Sequence, residues 1–281
     1  MADQPRHEVL PVNETELAFV SQGTGDAVVF VHGSVNDYRS WRSQTTFFAG
    51  SYRAVAYSRR YHWPNPLPAD GASYAIDQHV ADLIALIETL ELAPVRLVGS
   101  SYGAMTSLTA AIVRPDLVHS LVLGEPPLIP WLARVPEGAQ LVEEFMANAF
   151  EPARAAFAKS DTEAGVRSFI NGVIGSGAFD RLPPLAREMM LDNGAEMRLE
   201  TMTPPEQYFP RISPNDVREL AMPVLLVEGA LSPTMFGLIT DELATALLKA
   251  ERFTVPAASH GMHSQNPDAY NAAVMAFQVG H

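Results

Sequence analysis

A serine between two glycines, placed directly after a short apolar run, constrains this chain more than any other feature. Residues 95–98 read as a buried strand, and Gly-Ser-Ser-Tyr-Gly follows at positions 99–103, before a helical pattern that runs to about Arg114. A serine in a tight strand-to-helix turn exposes its hydroxyl at the sheet edge, and the flanking glycines leave room for the neighbouring strand and helix. The positive end of the helix dipole favours negative charge there. The glycine frame indicates Ser101, and not Ser100, as a candidate nucleophile.

Short apolar runs alternate with helical patterns along most of the chain. The continuous run Ala27–Val31 is typical of a strand buried on both faces of a parallel sheet. Further strands are predicted over residues 9–12, 17–21, 53–57, 118–123, 224–228 and 252–255, and helices over 38–48, 76–90, 236–248 and 268–278. This alternation predicts an α/β fold with a mostly parallel central sheet and helices on both faces.

The pattern changes between residues 128 and 221, where strand-like runs disappear. Helical patches with Pro-rich joints replace them, over residues 139–148, 152–159, 162–174 and 185–192. We interpret residues 128–221 as a helical cap inserted into an α/β core made of residues 1–127 and 222–281.

Composition narrows the classes of partner and cofactor. The net charge of −13 argues against nucleic-acid and anionic-membrane partners, and the absence of cysteine excludes disulfides and thiolate chemistry. The polar segment 1–8 lacks the apolar stretch of a signal peptide, and no run reaches the roughly 20 apolar residues of a membrane span. We therefore expect a cytoplasmic protein with a small-molecule substrate. No dinucleotide fingerprint or metal-ligand spacing stands out, so no cofactor or metal is expected.

Polar side chains collect where the predicted strands end. They are His32, Ser101, Glu125, Glu228 and His260. In open α/β sheets, ligands bind beyond the carboxyl ends of the strands. We therefore expect a functional site at this edge of the sheet.

In combination, these motifs resemble the α/β-hydrolase superfamily over residues 9–277. The resemblance is carried by His32-Gly33, the glycine-flanked Ser101, the helical insertion and the late loop histidine His260. Pro267 follows at the distance at which family members often open their last helix, which favours His260 over His263. The resemblance implies an α/β-hydrolase fold without a cofactor.

The same resemblance assigns roles. Ser101 is the expected nucleophile and His260 the base that takes its proton. The oxyanion hole is expected to be formed by the backbone N–H groups of Tyr102 and Ser34, with Gly33 as the alternative to Ser34. His32 is expected to brace the turn and not to react.

The catalytic acid departs from the usual family pattern. An Asp is common three residues after Gly229, and this chain has Ser232 there. Two carboxylates remain, Glu125 and Glu228. Some members place the acid after the strand that follows the elbow helix, and the chain resembles zearalenone-lactone hydrolases in having a glutamate there. We favour Glu125 and keep Glu228 as the alternative.

Adjacent arginines follow the predicted strand over residues 53–57. Arg59 and Arg60 lie in a loop with Pro64, Pro66 and Pro68. They could bind a substrate carboxylate bidentately. We instead expect them to pair with carboxylates of the protein, such as Asp77 or Asp82.

A serine at position 101 argues for acyl transfer, whereas an Asp there would suggest epoxide or haloalkane chemistry. We predict an ester or lactone hydrolase that works through an acyl-enzyme. The insertion is rich in large apolar side chains and suggests a hydrophobic substrate; Gly33, Val35 and Trp131 are the predicted substrate contacts. Carbon–carbon bond hydrolysis, a perhydrolase-type activity and a non-hydrolytic ligand-binding member of the fold are the alternatives.

Overall fold

The computed structural model describes residues 6–67 and 74–281, so Pro68, the last of the three prolines in the predicted loop, lies outside the described residues. In this part of the chain, eight strands form one sheet in the order β1-β2-β4-β3-β5-β6-β7-β8. The strands are β1 (Glu8–Val12), β2 (Thr15–Gln22), β3 (Ala27–Val31), β4 (Arg53–Tyr57), β5 (Val95–Ser100), β6 (Val118–Gly124), β7 (Val224–Gly229) and β8 (Ala250–Val255). Strand β2 is antiparallel to β1 and β4, and all other pairs are parallel. The predicted fold class is confirmed.

Helices connect the strands and cover the sheet. They are α1 (Arg42–Phe48), α2 (Ile76–Thr89), α3 (Tyr102–Val113), α4 (Gly138–Phe145), α5 (Glu151–Phe157), α6 (Thr162–Ile174), α7 (Ala178–Arg181), α8 (Pro184–Asp192), α9 (Gly194–Met202), α10 (Pro205–Tyr208), α11 (Pro214–Arg218), α12 (Thr234–Ala246), α13 (Met262–Gln265) and α14 (Pro267–Gly280). Every element described between β6 and β7 is helical. We refer to residues 128–221 as the cap.

The sheet is buried on both faces because its central strands are mainly apolar. All residues of β3 and β5 are buried. Successive side chains of a strand point to opposite faces. Val29 therefore joins the hydrophobic cluster under α2 and α3, and Phe30 joins the cluster under α1 and α14. Each such side chain stabilises the fold by about 1.5–3 kcal/mol through burial.

The order of the strands places a crevice at the centre of the sheet. Strand β3 lies between β4 and β5, so the chain leaves β3 toward one edge and returns to start β5 on the other side. Val31 and Gly99 are paired at the carboxyl ends of β3 and β5. Ligands of open α/β sheets bind at such a switch point. The loops after these two strands therefore meet where a site is expected.

Candidate active site

Ser101 occupies a strained turn between β5 and α3. Its backbone has φ 53° and ψ −125°, and its N–H donates to the carbonyl of Gly124 at 2.7 Å. A Cβ on Gly103 would lie 2.1 Å from the Val31 oxygen, and one on Gly99 would lie 2.6 Å from the Cα of Ala104. No larger residue fits at either position. A serine with a positive φ, in a turn this tightly packed, is typical of a functional site.

A histidine and a carboxylate meet beside this turn. Nδ1 of His260 lies 2.6 Å from Oε2 of Glu125, and Oε1 of Glu125 accepts the N–H of Gly229 at 2.8 Å. The ring of Phe236 stacks on the imidazole with 4.0 Å between ring centroids. The side chains of His260 and Glu125 are both buried. A proton on Nδ1 that faces Glu125 leaves Nε2 able to accept another proton.

The two carboxylates proposed from the sequence have different surroundings. Glu228 accepts hydrogen bonds from Arg252 at 3.3 Å and from the hydroxyl of Thr254 at 3.0 Å, near the surface. The structure therefore brings Glu125 to His260, while Glu228 is engaged with other side chains.

The turn after β3, residues 32–35, packs against the serine, and we call it the oxyanion turn. A Cβ on Gly33 would lie 2.9 Å from the Cβ of Ser101. Tyr102 is the first residue of α3, so its N–H has no acceptor within the helix. Ser34 lines the same cavity as Ser101. These are the positions of the two expected oxyanion donors.

His32 holds the oxyanion turn from inside. Its Nδ1–H donates to the Gly33 oxygen at 2.8 Å, and its Nε2 accepts the N–H of Arg59 at 2.9 Å. Burial lowers the pKa of His32 well below its usual value, and the charge of Arg59 acts in the same direction. His32 is thus neutral, and its two hydrogen bonds brace the turn.

A cavity of about 430 Å³ lies between the sheet edge and the cap, and Ser101 and His260 line it. Its cap wall is apolar and includes Phe145, Phe169, Ile170, Val173, Ile174, Leu182, Met189 and Met190. The opposite wall contains Asn36, Ser40, His263, Ser264 and Gln265. Among the described residues that line this cavity, none is Asp, Glu, Lys or Arg. A bound molecule would meet no full charge on these walls.

Two of the three predicted substrate contacts line this cavity, and one does not. Gly33 and Val35 are wall residues. Trp131 instead borders a separate depression with Leu128 and Phe209, and its indole N–H donates to the Ile212 oxygen at 3.0 Å. This corrects the predicted contact at Trp131, because its indole is engaged with Ile212 within the cap and borders the separate depression.

The two loop arginines, Arg59 and Arg60, bind other groups of the protein. Arg60 forms a bidentate ion pair with Asp82, at 2.6 and 2.7 Å, as expected from the sequence. Arg59 donates to the carbonyl oxygens of His32 and Gly33 at 3.1 and 3.3 Å. These bonds support the oxyanion turn and leave neither guanidinium on the cavity wall.

Two candidate functional residues, Glu196 and Glu200 of α9, were not predicted from the sequence. Both side chains are fully buried. Oε1 of Glu200 accepts the hydroxyl of Ser34 at 2.6 Å and that of Tyr208 at 2.8 Å. Burial, together with the charge of Glu196, raises the pKa of Glu200 to about 8. The sequence does carry one signal for this pair, because a spacing of four residues places both carboxylates on one face of a helix.

Neither a metal site nor a membrane span is found in the described part of the chain. No group of three or more His, Asp or Glu side chains among residues 6–67 and 74–281 is arranged to hold a metal ion. Within the same residues, every helix is too short or too polar to cross a bilayer.

Comparison with known proteins assigns the family. A sequence model described as "Alpha/beta hydrolase family" matches residues 28–273, and the chain belongs to this family. The chain is 35% identical over 117 residues to epoxide hydrolase 2 of Siraitia grosvenorii, a match that covers 41% of this chain and 37% of that protein. It is 26% identical to the 2-(acetamidomethylene)succinate hydrolase of Mesorhizobium japonicum, over 91% of this chain and 89% of that protein.

The architecture is shared with solved structures. Est816, described as an N-acyl homoserine lactone degrading enzyme, superimposes with a TM-score of 0.76 at 19% identity, over 96% of this chain and all of that one. At this identity the similarity shows the fold. The finer resemblance to zearalenone-lactone hydrolases depends on the position of Glu125 and stays a prediction.

Proposed function

We propose that this member of the alpha/beta hydrolase family is a serine hydrolase that cleaves an ester or lactone of an uncharged, hydrophobic small molecule. One observation carries the proposal: His260 lies 2.6 Å from the buried Glu125, and its ring lines one cavity with Ser101. A nucleophile, a base and an acid that orients the base are the groups that acyl transfer needs.

In the acylation step, the Ser101 hydroxyl attacks the substrate carbonyl carbon while His260 Nε2 takes its proton. The imidazolium that forms is stabilised by Glu125 at Nδ1. The carbonyl oxygen becomes an oxyanion that accepts the N–H groups of Ser34 and Tyr102. When the tetrahedral intermediate collapses, the carbon–oxygen bond to the alcohol breaks, and His260 returns the proton to the leaving oxygen.

Deacylation repeats these steps with water. His260 takes a proton from the water that attacks the acyl-enzyme, and Ser101 leaves with that proton. An ester gives an acid and an alcohol, whereas a lactone gives a hydroxy acid.

The walls of the cavity support the choice of substrate. The cap side is built from aromatic, aliphatic and methionine side chains, and the lining contains no charged side chain among the described residues. Burying a charged group without a partner costs several kcal/mol, so an uncharged substrate is favoured. A cavity of about 430 Å³ suits a small molecule. A serine at position 101 favours ester and lactone carbonyls over epoxides.

Turnover of p-nitrophenyl butyrate and of γ-nonalactone tests this proposal, with Ser101→Ala as the matched inactive variant. We expect the wild type to hydrolyse at least one of them and the variant to hydrolyse neither. Hydrolysis of a vinylogous 1,5-diketone with no ester or lactone turnover would indicate carbon–carbon bond cleavage instead. Ligand binding without any turnover would support the non-hydrolytic alternative.

A further inference from the structure

We propose that the buried Glu196–Glu200 pair of α9 positions the oxyanion turn for the reaction at Ser101, so that the cap completes the active site. This inference rests on the proposed function. Glu200 acts through Ser34 and touches no reacting atom, so it is a positioning residue.

The contact between the cap and the oxyanion turn is made through Ser34. The Ser34 hydroxyl donates to Oε1 of Glu200 at 2.6 Å. The next residue of the turn, Val35, has a left-handed backbone, with φ 51°. An oxyanion donor must be fixed in advance, and this bond holds Ser34, whose N–H is one of the two proposed donors.

Further side chains lie close to the two carboxyl groups. The Tyr208 hydroxyl donates to the same Glu200 oxygen at 2.8 Å, and the Tyr74 hydroxyl lies 3.4 Å from the other oxygen. Nε2 of His62 lies 3.0 Å from Oε1 of Glu196. Glu200 is therefore held by Tyr74 of the core on one side and by Tyr208 of the cap on the other.

The charges of this cluster balance only if the pair keeps one proton. Arg59 is buried beside both carboxyls and carries the positive charge. Burial lowers the pKa of His32, His62 and His79 well below the usual value, so they are neutral. The titratable and charged groups that surround the pair are Arg59, His32, His62, His79, Tyr74, Tyr102 and Tyr208. One ionised and one protonated carboxyl then give a neutral cluster.

Loss of the shared proton would oppose the reaction. A second carboxylate would leave a net negative charge behind Ser34, where the oxyanion develops, in a site that water does not screen. Burial and the charge of Glu196 raise the pKa of Glu200 to about 8. The rate should therefore fall as the pH rises through about 8.

Three variants and one control test the positioning role. Glu200→Leu removes the acceptor for Ser34, and we expect kcat to fall about 10- to 100-fold with KM within about threefold, since loss of one oxyanion donor outright costs about 10²–10³. Ser34→Ala should have a similar effect, and the double variant should lose little more. Glu188→Gln, at an exposed glutamate of α8, should behave as the wild type.

Glu200→Gln separates a positioning role from a structural one. The amide keeps the shape and an acceptor oxygen but cannot ionise, so we expect kcat within about threefold of the wild type at pH 7 and no fall between pH 7 and 9. The infrared band of protonated carboxyl groups should disappear from the wild type over this range and be missing from Glu200→Gln. This readout needs no turnover.

The outcomes distinguish this inference from the proposed function. A folded Glu200→Leu protein with wild-type kcat, or an alkaline fall that persists in Glu200→Gln, would overturn the positioning role. If Glu200→Leu does not fold, the pH profile and infrared band of Glu200→Gln decide alone. If the wild type neither hydrolyses esters nor reacts with a fluorophosphonate, the proposed function is wrong. The positioning role, which rests on it, is then wrong as well. If it does react and Glu200→Leu reacts equally fast, only the positioning role fails.

Discussion

Two clusters of histidine and glutamate differ in their access to the cavity. In the first, His260 lies against Glu125 and its ring lines the cavity. In the second, His32, His62 and His79 lie behind the oxyanion turn with Glu196 and Glu200, and burial lowers the pKa of all three histidines. The same residue types therefore serve chemistry in one place and rigidity in the other. The difference lies in whether the histidine lines the cavity, as His260 does, or lies behind it.

The largest expected effect concerns the first cluster. Ser101→Ala and His260→Ala should each lower kcat/KM by at least about 10³-fold, because the attack step loses its nucleophile or its base. The double variant should lose little more, since the two residues act as a unit. Steady-state kinetics on a p-nitrophenyl ester measures this, with the exposed His281→Gln as a control. Multiplicative losses would mean that the two residues act independently.

The next effect separates two glutamates that both follow a strand. Glu125→Gln should lower kcat about 10³- to 10⁴-fold, because the amide no longer stabilises the imidazolium of His260. Glu228→Gln should change kcat by less than about threefold, because Glu228 pairs with Arg252 near the surface. The reverse pattern would move the acid role to Glu228.

Much of the architecture could be predicted from the sequence because apolar periodicity decides which faces are buried. The continuous run of β3 and the glycine-flanked serine indicate a parallel sheet and its elbow, and both are found. The same reasoning missed α9. The inward face of that helix carries Glu196, Glu200 and Thr201, all buried, so the apolar period that marks a helix is absent there.

The site was harder to predict than the fold because it depends on contacts between distant segments. Glu125 and Glu228 both follow a strand, and the sequence favours Glu125 only by resemblance, whereas the structure shows Glu125 in contact with His260. Trp131 fits an apolar pocket by composition, yet its indole is used to join two parts of the cap. The link from Ser34 to Glu200 spans 166 positions, and no local pattern records it.

A moderate effect tests the contrast between an uncharged cavity and a charged cluster behind it. We expect kcat/KM for p-nitrophenyl hexanoate to exceed that for mono-p-nitrophenyl adipate, which has the same acyl length and a terminal carboxylate, by at least about tenfold. The carboxylate would lose its hydration in a cavity whose described lining residues are uncharged. Equal rates would mean that the acyl chain stays in water or meets a cation.

The smallest effect concerns stability and belongs to the second cluster. The pKa of Glu200 is about 8 in the folded protein, against 4.5 for an ordinary glutamate. Between these values the unfolded chain releases the proton and the folded protein keeps it. Stability should therefore fall with rising pH from 4.5 to 8, by at most about 1.4 kcal/mol per pH unit.

Glu200→Gln should remove this part of the slope, because the amide binds no proton in either state. Thermal unfolding between pH 5 and pH 8 measures it, and the variant should gain stability over the wild type as the pH rises. Parallel curves for the two proteins would show that Glu200 is ionised in the folded state.

The central claim is that His260 and Glu125 activate Ser101, and intact-mass analysis after treatment with a fluorophosphonate tests it most directly. We predict one adduct per wild-type chain, no adduct on Ser101→Ala, strongly slowed labelling of Glu125→Gln and unchanged labelling of Glu228→Gln. Labelling of Ser101→Ala at the wild-type rate, or a wild type that stays unlabelled, would contradict the account.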